Sequence, residues 1–440
     1  MELLFLFSIL FFIAFLQALV VIKGSKWPAF CSSLTKLGPL SLFKNPSTFT
    51  DQMRKKFKTD IFSCYFFFKR VTFVFGEENV YKITTAPNEV LNFEESYAPF
   101  LSATFGSNML TSYTLQPQVA VLVKYLTYNH LQEYVVKSSK LVTKLIYEKF
   151  SKTDTCNLEP ILRDIVFQVG TRNFLGDKFL RALPNYDFKS IFSGFEMGLR
   201  LALYYGPSFL TKIKDYYDSK KQQSIFDRVV TEMAKEKITN PTNMFEEILY
   251  QHDKENSPTL NDDKTLINLV KLFVFGSSFN SYNHICFIIQ DLIRNPDKWQ
   301  KLKEEQIKIN FDPETLTQEK LAEMKLLNEE IMEIACQNPF PFLLRTAKQD
   351  FSLGSVIIPK GDLIAFSPKI NNDSNDNLLF GHGVHACPAI KYAKNSMMVV
   401  LSLFIYHFQF TPQTKVEEFK NKRIITFSMQ NPIPVIYVRS

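Results

Sequence analysis

Apolar residues open the chain as one nearly unbroken block, and between Leu3 and Ile22 only Ser8 and Gln17 interrupt it. At about 1.5 Å rise per residue a helix of that length crosses the roughly 30 Å hydrocarbon layer of a bilayer. Glu2 precedes the block and Lys23-Gly24-Ser25-Lys26 follows it. A cleaved signal peptide would carry a basic start, a shorter apolar run and a small-residue exit. The expectation is therefore an uncleaved single-pass anchor over residues 1–25, with Lys23 and Lys26 holding residues 26–440 in the cytosol.

Beyond the anchor the periodicity changes twice. Pro46 to Phe57 reads as a short helix, and Ile61 to Phe68 and Val71 to Phe75 read as paired strands. From about Val119 to Phe351 apolar residues recur at three- and four-residue spacing, interrupted near Gly206-Pro207, Asn240-Pro241 and Asn295-Pro296. Strand signals return at Val356-Ile357-Ile358, and Pro359-Lys360-Gly361-Asp362 supplies turn chemistry before Leu363 to Phe366, which predicts a hairpin. The fold class is mainly α with a small β region, in one domain over 26–440. Within the helical part, Leu266 to Arg294 runs without proline and carries Phe275-Gly276-Ser277-Ser278-Phe279-Asn280-Ser281 near its middle. Small and polar residues inside an apolar helix make either a packing notch or the wall of a site.

Composition narrows the class. With 46% hydrophobic residues and 43 Phe in 440 residues, the chain has a thick apolar interior or meets lipid, and is not disordered. The net charge of +7 comes without a basic block, so no nucleic-acid track is indicated. Six cysteines are scattered without a C-x-x-C pair, which argues against a disulfide framework or a zinc ribbon and fits a reducing compartment.

The segment with most chemistry is Phe380-Gly381-His382-Gly383-Val384-His385-Ala386-Cys387-Pro388-Ala389, ahead of an apolar helix from Ile390 to about His407. A cysteine before a helix start meets backbone N–H groups and the positive end of the helix dipole, which favour thiolate. Pro388 suits the first helical position, and the glycines let the loop lie close to a flat partner. Three readings are open: a buried apolar cysteine, a zinc site with His382, His385 and Cys387 but no fourth ligand at zinc-finger spacing, or thiolate ligation of a haem iron.

This run resembles the haem loop of the cytochrome P-450 family at Phe380, Gly383, His385, Cys387 and Ala389. Further stretches resemble the family in its own order: Arg294 to Leu302, Met324 to Asn328 and Ile358 to Gly361. The resemblance implies a haem b with Cys387 as axial iron ligand, His385, Arg345 and Lys124 toward its propionates, and Phe380 and Gly383 shaping the loop. It implies a distal wall at Gly276 to Ser281, with Asn280 and Ser281 as catalytic candidates. Arg345 to Phe351 and Asn280-Ser281 are similar to the branch of bile-acid-forming sterol hydroxylases and prostacyclin synthase. The implied activity is oxidation of a lipid or sterol-like substrate at the endoplasmic reticulum, using a separate NADPH-dependent flavoprotein. Tyr97 to Tyr113 and Phe188 to Phe209 resemble substrate-facing regions, and Lys391 and Lys394 would offer the reductase a basic surface. Reductase-independent isomerisation or lysis of a lipid peroxide, and non-catalytic haem or lipid binding, are the alternatives.

The chain departs from the family in three places. Asn280 stands where most members keep an acid, followed by Ser281 in place of threonine; Cys336 replaces the arginine three residues after Glu333; and the segment before the haem loop, where family members carry a second arginine that meets that glutamate, is cut to Lys369 to Leu379. A buried Glu333 stripped of both arginine partners would be costly, so it is expected to be exposed, neutral or paired elsewhere.

Overall fold

The computed structural model describes residues 28–31, 41–42, 46–66, 69–98, 120–183, 209–255, 263–337, 342–367, 378–413 and 433–439. The predicted anchor, Gly206-Pro207, and most of the stretches 97–113 and 188–209 lie outside them. Among the described residues no helix is long and apolar enough to cross a membrane.

In chain order the elements are β1 (Ala29–Cys31), α1 (Pro46–Phe57), β2 (Ile61–Phe66), β3 (Lys69–Val74), α2 (Glu77–Thr85), β4 (Leu91–Asn92), α3 (Tyr128–Lys149), β5 (Thr153–Asn157), α4 (Leu158–Arg181), α5 (Phe209–Ala234), α6 (Met244–Glu255) and α7 (Asp263–Arg294). There follow α8 (Pro296–Lys308), α9 (Gln318–Glu323), α10 (Lys325–Gln337), β6 (Leu343–Ala347), β7 (Phe351–Leu353), β8 (Val356–Ile358), β9 (Leu363–Phe366), α11 (Ile390–His407), β10 (Phe408–Pro412) and β11 (Pro434–Arg439). Two compact units divide the chain: Met1–Pro99, Pro339–Cys387 and Lys420–Phe427 make the first, and Phe100–Asn338, Pro388–Phe419 and Ser428–Ser440 the second.

The first unit is a twisted sheet in the order β1-β2-β3-β9-β6-β4, covered by short helices. Phenylalanine does much of its packing. Phe62 and Phe73 stack across β2 and β3 at 5.3 Å, and Phe49 of α1 meets them edge-on at 6.2 and 6.3 Å. The second apolar face joins Val80 and Ile83 of α2 to Ile61, Val74, Ala347, Ile364 and Phe366 of the sheet.

The β8–β9 hairpin predicted from turn chemistry does not form. β8 pairs instead with β7 through the two-residue loop Gly354-Ser355, with Gly354 at φ +60°, while β9 joins β3 in parallel and β6 antiparallel. A glycine with positive φ in a two-residue loop is the stronger hairpin signal. The turn at Pro359–Asp362 has another task. It delivers the buried Asp362 carboxylate onto β3, where Arg70 Nε donates to it at 2.7 Å and Thr72 Oγ1 at 3.0 Å. Burial raises the pKa of Asp362 in spite of Arg70, so the pair stands against a desolvation cost. Removing one member of such a pair strands the other. Asp362→Ala is expected to cost about 3 kcal/mol in a denaturant titration of the intact protein, and a loss under about 1 kcal/mol would show that Arg70 re-pairs freely.

In the second unit α4 and α7 cross closely, and α11 is buried over most of its surface from Ser396 to Ile405. An all-round apolar helix belongs in a core, as its sequence implied. Strands β10, β11 and β5 form a separate antiparallel sheet.

Candidate functional site

The loop around Cys387 is held in shape by its own backbone. Cys387 N donates to Phe380 O at 2.6 Å, closing the segment, and Gly381 and Gly383 take φ values of +74° and +63°. Both glycines are required by close approach. A β-carbon on Gly381 would stand 2.6 Å from His385 O, and one on Gly383 would stand 2.9 Å from Thr84 O at the end of α2. The loop therefore sits directly on α2, where Tyr81 also faces the His382 ring at 5.7 Å.

Phe93 supplies a shelf that the sequence did not reveal. The His385 ring stacks on it at 5.4 Å, and the Arg345 guanidinium lies over it at 5.2 Å and over Phe366 at 5.6 Å. Arg345 extends from β6 and is 3% exposed, yet its one hydrogen bond among the described residues is to the carbonyl of Leu344, at 2.7 Å. No carboxylate forms an ion pair with it among the described residues, and Glu94, which acts on it electrostatically, accepts from Asn88 Nδ2 at 2.8 Å. Its Nε, and Nε2 of His385, are buried donors or acceptors with no partner among the described residues. Burial, then Tyr97 and Glu94 in the opposite sense, shifts Arg345 downward. His385 is also shifted downward, by burial and by the Arg345 charge.

A buried cation with no ion-pair partner among the described residues is an expensive feature for a folded chain to keep, several kcal/mol by general experience. It is the environment that an anionic group of a ligand would complete. With two glycines that let the loop close on itself and on α2, an apolar shelf and Cys387 two residues from His385, these residues fit a haem with carboxylate side chains.

Lys124 stands in the second unit and is already engaged: its Nζ meets Glu247 at 2.7 Å, and it is largely exposed. Burial and Glu247 push the neighbouring Tyr125 up to about 12.

The small-residue stretch of α7 turns out to have two faces. Ser277 and Ser278 are buried against α4, where a β-carbon on Gly170 would meet their hydroxyls at 2.7 and 2.4 Å. Ser281, one turn on, is buried as well. Gly276 is exposed, with nothing within 4 Å of an added β-carbon, and Asn280 shares its face at i, i+4 and is half-buried. The packing notch is thus on one side of the helix, and Gly276 and Asn280 lie on the other. Of the two catalytic candidates, Asn280 lies on the open side and Ser281 on the packed side. The carbonyl of Asn280 accepts from His284 Nδ1 at 2.9 Å, leaving its side-chain amide for other partners.

Glu333 and Cys336 are both exposed on α10, so the absent arginines leave no buried charge there. The partly buried acid of that helix is Glu330, which takes Lys298 Nζ at 2.6 Å; burial raises its pKa against the pull of Lys298. Glu333→Gln is accordingly expected to change thermal stability by less than about 0.5 kcal/mol, and Cys336→Arg to add no more than that. A larger loss in Glu333→Gln would show that this carboxylate carries structure.

Comparison with known proteins gives the setting. The family model described as Cytochrome P450 matches residues 26–375, ending just ahead of the Cys387 loop. Taxane 13-alpha-hydroxylase of Taxus cuspidata is 22% identical over 327 residues, covering 66% of this chain and 64% of that protein. Sterol 14alpha-demethylase of Mycolicibacterium vanbaalenii is 20% identical over 407 residues, covering 84% and 88%. The solved structure of retinoic-acid-bound cyanobacterial CYP120A1 superposes with a TM-score of 0.74 at 17% identity, over 95% of this chain and 100% of that one.

Proposed function

Because the chain belongs to the cytochrome P450 family, we propose that it is a membrane-anchored monooxygenase oxidising an apolar, lipid- or sterol-like substrate with electrons from a separate NADPH-dependent flavoprotein. Family and fold imply a haem whose iron is held by a cysteine thiolate. The observation that carries the assignment to this chain's own residues is the buried Arg345 with no ion-pair partner among the described residues, beside His385 on the Phe93 shelf.

In this reading Cys387 is the axial ligand, and Arg345 and His385 would hold the haem carboxylates. Gly381 and Gly383 let the loop close on itself and on α2, and Phe380 fixes its start through the carbonyl that Cys387 N meets. When bound, the haem supplies oxygen activation, which a thiolate assists by pushing electron density onto the iron. Asn280, the catalytic candidate on the open face of α7, carries an amide that can donate and accept hydrogen bonds but is a poor proton relay. Anchoring through residues 1–25 would place the domain at the endoplasmic reticulum membrane, from which an apolar substrate can arrive. The named relatives that hydroxylate a taxane or demethylate a sterol support an apolar substrate class. Arg345 to Phe351 and Asn280-Ser281 support placement near the sterol hydroxylase and prostacyclin synthase branch.

Asn280 also favours a second reading, rearrangement of a lipid peroxide without a reductase. The two separate in one assay of the haem-loaded, full-length protein. Lipid turnover that requires NADPH and flavoprotein supports the monooxygenase, turnover of a lipid hydroperoxide alone supports the isomerase, and inertness in both with haem bound overturns both in favour of a binder.

A further inference from the structure

The second unit holds a pocket of about 420 Å³ that the proposed chemistry does not use, lined by Tyr147 at the end of α3, by Lys303, Gln306 and Ile307 of α8, by Asn310 and Phe311, and by Tyr406 and His407 at the end of α11. α11 begins at Ile390, and at about 1.5 Å per residue its last turn lies about 25 Å from that start. The volume falls in the range of small-molecule sites. Its wall is aromatic: Phe311 and Tyr406 lie 5.4 Å apart, Tyr406 and His407 5.0 Å, and Tyr147 stands edge-on to His407 at 5.5 Å.

Three of these walls are large apolar groups left in solvent, with Ile307 70% exposed, Tyr147 55% and Tyr406 40%. Single exposed apolar residues are ordinary, whereas three around one concavity mark a binding surface. The charge is one-sided. No acidic residue lines the pocket, Lys303 forms no ion pair among the described residues, and Arg439 lies over the Tyr147 ring at 4.6 Å. Gln306, 4% exposed, donates through Nε2 to Ser402 O at 2.8 Å, but its Oε1 has no donor among the described residues.

We propose that this pocket binds a small amphipathic anion, an apolar or aromatic body against Tyr147, Ile307 and Tyr406 with its acidic group toward Lys303. The proposal is independent of the activity assigned to the Cys387 site. The probe is 1-naphthaleneacetate, with the uncharged 1-naphthaleneacetamide as control, in equilibrium dialysis against the full haem-loaded protein saturated with an iron-ligating azole, so that the haem pocket is closed to it. One equivalent of the acid is expected to bind with the azole in place. Lys303→Glu should weaken it about tenfold, because reversal replaces an attraction by a repulsion. The same variant should leave binding of the amide unchanged, and Ile307→Asp should weaken both. Loss of the acid on azole addition, equal affinity for acid and amide, or wild-type affinity in Lys303→Glu would each overturn the proposal. Ile307 is exposed and Lys303 half-buried at the pocket, neither in the core, so unchanged thermal unfolding of the two variants is expected to accompany the result.

Discussion

Replacing Arg345 by Leu is expected to stabilise the haem-free protein and to speed haem loss by about 30- to 1,000-fold, two effects of opposite sign from one side chain. The guanidinium is buried, with one hydrogen bond to a neighbouring carbonyl and no carboxylate in ion-pair contact among the described residues. Leu removes that desolvated charge and keeps the contact with Phe93 and Phe366. Exchanging a buried charge for a well-packed apolar side chain is often neutral or favourable by about 1–4 kcal/mol. With haem bound, the same substitution strands an anionic group of the ligand, and truncating one partner of a buried charge pair costs about 2–4 kcal/mol. Denaturant unfolding of the haem-free form and haem transfer to apomyoglobin measure the two effects separately. A haem-free variant less stable than wild type would mean that Arg345 is structural, and an unchanged transfer rate would remove it from the site.

Gly381→Ala is expected to displace the Cys387 loop and to deplete bound haem while the fold survives. At φ +74° an L-residue pays about 1–2 kcal/mol of backbone strain. The larger effect is steric. The new methyl would meet His385 O at 2.6 Å, and neither atom belongs to a side chain that can rotate away. Gly354→Ala is the matched control, since it shares the positive φ at +60° but has nothing within 4 Å of the added carbon. It should cost about 1 kcal/mol in the β7–β8 turn and keep its haem. If Gly381→Ala retains full haem and unfolds like Gly354→Ala, the loop is not held by that contact.

The parts of this molecule that were legible in sequence are those whose signal is local. Pro46–Phe57 shows its helix through spacing alone, the long helix ending at Arg294 shows itself by the absence of proline, and the Cys387 segment shows itself by its glycines and its position before Ile390. What stayed hidden depends on pairing at a distance. Thr153–Asn157 is polar and mostly exposed, and it becomes a strand because β11, nearly 280 residues later, pairs with it from Asn157↔Pro434 to Thr153↔Val438. Phe93 could not be assigned beneath His385 because only the tertiary fold brings the two within 5.4 Å. The misplaced hairpin had a local cause of another kind: Pro-Lys-Gly-Asp is genuine turn chemistry, but the fold spends it on aiming Asp362 at Arg70 and Thr72. Likewise Gly276 to Ser281 could be read as notch or wall, and only the position of α4 shows which side is which.

The central claim is that Cys387 holds the haem iron as a thiolate, and the carbon monoxide spectrum of the reduced, haem-loaded protein tests it most directly. Wild type is expected to show the strongly red-shifted Soret band that a thiolate ligand produces, and Cys387→Ser to lack it with the fold intact by circular dichroism. A thiolate band that persists in Cys387→Ser, or a wild-type spectrum of imidazole type, would contradict the account.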